Sequence, residues 1–209
     1  MNKPLSLLVV DVSEDWEELL KAHERGHFID WVHVHPGKYE RGKLDPAAVP
    51  LDIRYPHGSV RAGFNAIIDT TRLARLYGIP RYAVHLYTGW TDGEEQTCHS
   101  LQPYIPAGNQ YEKHGMSAFG CPLADRLEAE GCEHLLVIGY DRDACVLATI
   151  KDAVERGIKV VTSEHCMLTA SRSELREISL AYFRENTVFL ETLADVWNYL
   201  REAGINSAE

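Results

Sequence analysis

The sequence is short of several things that would have fixed its class at once. Its five cysteines (Cys98, Cys121, Cys132, Cys145 and Cys166) form an odd set with no CxxC pair, which excludes a disulfide framework and a zinc ribbon. Its first apolar run, Leu5 to Val10, is six residues long, is broken by Ser6 and ends at Asp11. That is too short for a signal-peptide core and far below a membrane span. There is no basic block: 21 Lys and Arg face 31 Asp and Glu, a formal net charge of −10. Without that electrostatic footprint, nucleic acid and membrane surfaces are excluded as partners. Internal repeats and low-complexity tracts are also missing. What remains, 209 residues that are 45% apolar, predicts one globular domain over 1–209 in the cytoplasm.

The pattern is α/β. Leu5–Val10, Tyr82–Tyr87, Leu135–Gly139, Lys159–Thr162 and Val188–Leu190 are short, apolar and mostly β-branched or aromatic, as strands covered on both faces should be. Helices are predicted between and after them, over Val60–Tyr77, Pro122–Glu130, Ala144–Arg156, Arg172–Phe183 and Leu193–Glu202, with Gly78, Gly131, Gly157 and Gly204 placed to stop helices. Strand and helix in alternation imply a parallel sheet, with chemistry at the carboxyl ends of its strands. One stretch departs from this rhythm. Residues 13–58 hold five of the ten histidines, four of the nine prolines and two of the four tryptophans. This is read as an insertion, with a helix at Trp16–Arg25 and a strand-like run at Phe28–His35, whose Trp16 and Trp31 are placed to cover a pocket.

Three residues stand where chemistry collects. Asp11 puts a carboxylate directly after a buried strand, either as a reacting group or as a cap for the next turn. Cys145 lies in a strand-to-helix turn at the first turn of a helix, where backbone NH groups favour the thiolate, although most free cysteines are inert small hydrophobes. Asp141 and Asp143 oppose its ionisation, so a nearby cation is required, and Lys113 is the candidate. His33-Val34-His35 places two imidazoles on one strand face, a spacing that suits a metal ion but equally suits an exposed edge strand. No third ligand is identifiable, and no metal is assigned. His85, His99, His114 and His165 are read as satisfied or exposed side chains.

The segments Leu7-Leu8-Val9-Val10-Asp11, Lys113-His114-Gly115-Met116-Ser117-Ala118-Phe119, and Val137-Ile138-Gly139-Tyr140-Asp141-Arg142-Asp143-Ala144-Cys145-Val146-Leu147-Ala148-Thr149 together resemble the isochorismatase-like cysteine hydrolases. The resemblance implies a three-layer αβα sandwich around a parallel, Rossmann-like sheet of about six strands. It implies a catalytic set of Asp11, Lys113 and Cys145, a cis peptide at Tyr140–Asp141, and an oxyanion hole made by the NH groups of Asp141 and Cys145. Trp90, Phe119, Tyr140 and Arg142 become candidate pocket residues. It also implies a homo-oligomer, dimer or tetramer, acting on a small molecule without a cofactor.

The departures from the family pattern are specific. Asp141 and Arg142 stand where small residues are usual, and Val12 follows Asp11 where a glutamine is frequent. Trp90 and Asp92 occupy the Asp-x-His positions of metal-dependent nicotinamidases, which argues against that metal site. The leading expectation is hydrolysis of a C–N amide-type bond through a thioester. The alternatives are vinyl-ether hydrolysis of the isochorismate type, which uses the aspartate as acid and needs no cysteine, and an inactive binding or scaffold module.

Overall fold

The computed structural model describes residues 5–12, 20, 53–86, 97–170 and 173–206. The expectations for Trp16–Arg25, Phe28–His35, His33, His35 and Trp90 lie outside these residues, apart from Leu20, which is buried in the core.

Six strands form one parallel sheet: β1 (Leu5–Val10), β3 (Arg81–Leu86), β4 (Gln110–Lys113), β5 (His134–Gly139), β6 (Lys159–Thr162) and β8 (Val188–Phe189), in the order β4-β3-β1-β5-β6-β8. Two short strands, β2 (Ile53–Arg54) and β7 (Thr169–Ala170), pair antiparallel beside it. Every residue of the central strand β1 is buried. Alternation along β1 sends Leu7 and Val9 to one face and Leu8 and Val10 to the other.

Helices cover both faces. On the first pack α1 (Val60–Leu76), through Phe64, Ile67 and Ala74, and α5 (Leu193–Asn206), through Val196 and Leu200. On the second pack α2 (Leu123–Ala129), α3 (Leu147–Glu155) and α4 (Ser173–Asn186), through Leu127, Ile150, Leu180 and Phe183. This is the three-layer αβα sandwich. No helix among the described residues is long and apolar enough to cross a membrane.

Three elements differ from the sequence reading. Gln110–Lys113, unassigned there, is the edge strand β4, whose Gln-Tyr-Glu-Lys composition hides its pairing with β3. The helix predicted from Ala144 starts earlier, as a π turn over Arg142–Val146 that passes into α3. Gly204 stops nothing, because α5 runs through it to Asn206. A Cβ there would stand 2.5 Å from Tyr77 Cβ, so the glycine lets α5 settle onto the end of α1.

Candidate active site

Glycine at position 139 is what brings the end of β5 against β1. Gly139 pairs in register with Val10 and has φ 129. A Cβ there would fall 2.1 Å from the Val10 carbonyl oxygen. The next NH, of Tyr140, donates to that same carbonyl at 2.9 Å, so the turn carrying Cys145 leaves the sheet beside Asp11. Asp11 itself has φ 52, a left-handed conformation that aspartate tolerates better than most side chains. Its NH donates to Val84 O at 2.8 Å.

Lys113, at the end of β4, is fully buried, and its Nζ lies 3.0 Å from Asp11 Oδ2. The same ammonium donates to Met116 O at 2.8 Å and Gly115 O at 3.2 Å. Three acceptors match its three protons, so Lys113 is fixed by the loop that follows it. That loop is fastened in turn to the helix after Cys145, where the Ala118 NH donates to Thr149 Oγ1 at 3.0 Å in a fully buried contact.

Cys145 is 6% exposed, and its thiol lies near enough to the Asp11 carboxylate and to Lys113 for both charges to act on it. The structure therefore joins Asp11, Lys113 and Cys145, contributed by β1, β4 and the turn after β5. Burial, and after it the Asp11 charge, push the Cys145 thiol up to about 12, with Lys113 opposing. This corrects the expectation of a thiolate favoured by the helix start: the resting group is a thiol. Burial likewise raises the Asp11 carboxyl, against the pull of Lys113. Asp141 and Asp143 are not the groups that hold the thiol protonated.

The Tyr140–Asp141 peptide is cis. In the turn that follows, the NH groups of Arg142, Ala144 and Val146 donate to Leu168 O, Asp141 O and Asp141 O, at 2.9, 3.1 and 2.9 Å. The Asp143 NH lies 3.3 Å from Asp141 Oδ1, so the Asp141 carboxylate folds back to cap the π turn. It also meets the Thr169 hydroxyl at 3.0 Å.

The candidate pocket residues do not gather into one wall. The Arg142 guanidinium is 2% exposed and committed to Asp143 and Glu164, which corrects its reading as a pocket residue: its donors are already engaged by buried carboxylates. Phe119 is buried in the same apolar cluster as Cys145, under the Arg156 guanidinium at 5.1 Å. Tyr140 packs against the cluster on the other face of the sheet.

Two neighbours were missed in the sequence. Met116 is half exposed, yet its Sδ lies 4.0 Å from Cys145 Sγ. His85, expected to be satisfied or exposed, is buried with Nε2 3.0 Å from Thr97 Oγ1, and among the described residues its Nδ1 has no partner. Burial, assisted by Lys113, lowers it to about 4, so it is neutral. Among the described residues, no three of His, Cys, Asp and Glu form a group able to hold a metal. A cavity of about 410 Å³ lined by Ser6, Tyr82, Asn109, Arg126, Glu130 and Cys132 contains none of the site residues.

A family model described as the Isochorismatase domain matches residues 64–195. No curated protein matches the chain. Among solved structures, an isochorismatase family protein from Burkholderia thailandensis is 18% identical with a TM-score of 0.64, covering 97% of this chain and 97% of its own. The N-carbamoylsarcosine amidase of Thermoplasma acidophilum is 19% identical with a TM-score of 0.57, covering 90% of this chain and 96% of its own. The nicotinamidase of Staphylococcus aureus is 16% identical with a TM-score of 0.60, covering 90% of this chain and 98% of its own.

Proposed function

This chain belongs to the isochorismatase family, and from that premise we propose that it is a cysteine hydrolase that opens a C–N amide bond of a small molecule through a thioester. The observation that carries the reading is the buried ion pair of Asp11 and Lys113, 3.0 Å apart, whose two charges both act on the buried Cys145 thiol. A thiol pushed up to about 12 is a poor nucleophile until a base removes its proton during attack. Asp11 takes that proton and Cys145 Sγ bonds to the carbonyl carbon, while Lys113 steadies the negative charge shared by the pair. The oxyanion is received by the NH groups of Asp141 and Cys145, each worth about 3–4 kcal/mol in comparable sites. The C–N bond then breaks, the amine leaves with the proton from Asp11, and water activated by the same carboxylate hydrolyses the thioester. Every step uses side chains and backbone of this chain.

The raised Asp11 carboxyl favours one second reading, vinyl-ether hydrolysis with Asp11 as general acid. Cys145 decides between them. A screen of small amides for ammonia release, with mass spectrometry of Cys145, tests the leading reading. An acyl adduct on Cys145 supports it, whereas full turnover by Cys145→Ala moves the assignment to the second. A folded protein that forms no adduct and turns over neither substrate class is the binding module. The reading treats 1–209 as one cytoplasmic, homo-oligomeric hydrolase domain, with 13–58 as an insertion and Trp90 as a wall of the pocket.

A further inference from the structure

Arg142 and Glu164 belong to a buried ionic array that no step of the proposed reaction uses. The Arg142 guanidinium grips Asp143 with a two-pronged contact, Nε to Oδ1 and Nη2 to Oδ2, both at 2.7 Å, and its Nη1 reaches Glu164 Oε1 at 2.6 Å. From α4, Arg176 takes the same glutamate with a second fork, Nε to Oε1 at 2.9 Å and Nη2 to Oε2 at 3.0 Å. His57 Nε2 stands 3.2 Å from Glu164 Oε2. The Thr169 hydroxyl lies 3.0 Å from Asp141 Oδ1 and 2.7 Å from Asp143 Oδ2, sharing its one proton between them, and Ser179 donates to Asp143 Oδ1. The array ties the π turn to β7, to α4 and to the turn after β6.

Such an arrangement is an inefficient source of stability. Ions buried together recover little beyond what their desolvation costs, and apolar replacements are often as stable. What planar forks do supply is geometry, because each fixes two atoms of its partner at once. Here one fork joins Arg142 to Asp143 and the other fixes Glu164, which Arg142 meets through Nη1. Arg142 and Asp143 lie between Asp141 and Cys145, the two residues whose NH groups receive the oxyanion in the reaction proposed above.

We infer that Glu164 and Arg142 are positioning residues that hold the Asp141–Cys145 turn at the spacing its oxyanion donors require. The inference rests on the thioester reading of Cys145. It accounts for a long arginine and two carboxylates crowded into this turn, since a small residue at 142 could not reach Glu164. The brace acts on the acyl centre, not on the thiol: the ionisation of Cys145 is governed by burial, Asp11 and Lys113.

That division sets the test. Acylation by p-nitrophenyl acetate passes through a tetrahedral oxyanion: sulfur bonds to the acetyl carbon, the thiol proton goes to Asp11, and p-nitrophenolate leaves with the C–O electron pair. Alkylation by iodoacetamide displaces iodide at a saturated carbon and forms no oxyanion. Glu164→Gln is expected to lower kcat for p-nitrophenyl acetate at least tenfold with KM within twofold. Its iodoacetamide rate at Cys145 should stay within twofold of wild type, with the same pH profile.

Unchanged turnover, or a parallel fall of both rates, overturns the inference. Should Glu164→Gln fail to fold, Thr169→Val removes the hydroxyl between Asp141 and Asp143 without stranding a charge, and the same pair of rates reads it. Cys145→Ala separates the two levels. If it still releases p-nitrophenolate at the wild-type rate, the thioester reading has failed and the brace with it. If it is inert while Glu164→Gln and Thr169→Val behave as wild type, the brace alone has failed.

Discussion

The NH of Ala118 donates to the hydroxyl of Thr149 across 31 residues of sequence, and this one buried contact joins the loop that holds Lys113 to the helix that carries Cys145. Thr149→Val preserves the shape and strands the Ala118 NH, a loss of about 1–3 kcal/mol. For a chain of this size that lowers Tm by roughly 2–12 °C. Thermal unfolding checks the stability, and an amide or ester assay should show turnover falling further than the stability loss explains, because the Gly115 and Met116 carbonyls that fix Lys113 shift with the loop.

Removing the proposed base, Asp11, should make Cys145 more reactive while lowering turnover. The Asp11 charge helps to hold the thiol up, so Asp11→Asn lowers it and leaves Lys113 to favour the thiolate. A tenfold larger thiolate fraction costs about threefold in intrinsic nucleophilicity. Iodoacetamide should therefore label Asp11→Asn at pH 8 roughly threefold faster or more, while kcat falls by about a hundredfold or more. Slower labelling would mean that Asp11 assists the thiolate instead of opposing it.

Gly139→Ala should be among the most damaging single substitutions in the chain. Its φ of 129 and a Cβ 2.1 Å from the Val10 carbonyl leave no relaxed solution short of moving β5 from β1, a loss above about 3 kcal/mol. Gly108→Ala, where nothing lies within 4 Å, is the control and should stay within about 0.5 kcal/mol. Urea unfolding of the two variants makes the comparison.

Acid should loosen the array around Arg142. Glu164 and Asp143 are held below their ordinary values by Arg176, Arg142 and the hydroxyls around them, despite burial. A carboxyl lowered by folding adds stability that is present above its unfolded value, 4.5 for Glu164 and 3.8 for Asp143, and that is lost as pH falls through the folded one. Asp11, which folding raises, works in the opposite sense. The urea midpoint of wild type should therefore fall below about pH 4.5, and the fall should be shallower in Glu164→Gln. Parallel curves would remove Glu164 from the acid limb.

The parts legible in the sequence were those set by local pattern. Leu5–Val10 and Lys159–Thr162 are strands with the bounds read for them, and Asp11 and Cys145 stood at element ends where a fold of this type gathers its chemistry, whereas Lys113 stood out only as the cation they needed and through the family resemblance. What escaped depends on distance through space. Among the described residues β4 pairs on one side only, and its polar residues gave no strand signal. Arg142 was read as facing a ligand because its partners Glu164 and Arg176 lie far downstream. The helix start was read as favouring the thiolate, whereas burial, which no local pattern records, pushes the thiol up. Met116 sat inside a segment already singled out, but no spacing rule turns a thioether toward Cys145.

The central position of β1 sets an order of assembly. It is the first of the six sheet strands in the chain, yet its neighbours β3 and β5 both come later, with β5 beyond residue 130. A chain emerging during synthesis carries Asp11 long before it has a partner, and Lys113 before there is a thiol to serve. Of the three groups, the proposed nucleophile Cys145 is therefore made last and arrives beside β1 once β3 and β4 are already there. A fragment ending before Cys145 holds Asp11 and Lys113 but lacks the thiol that the reading above places beside them.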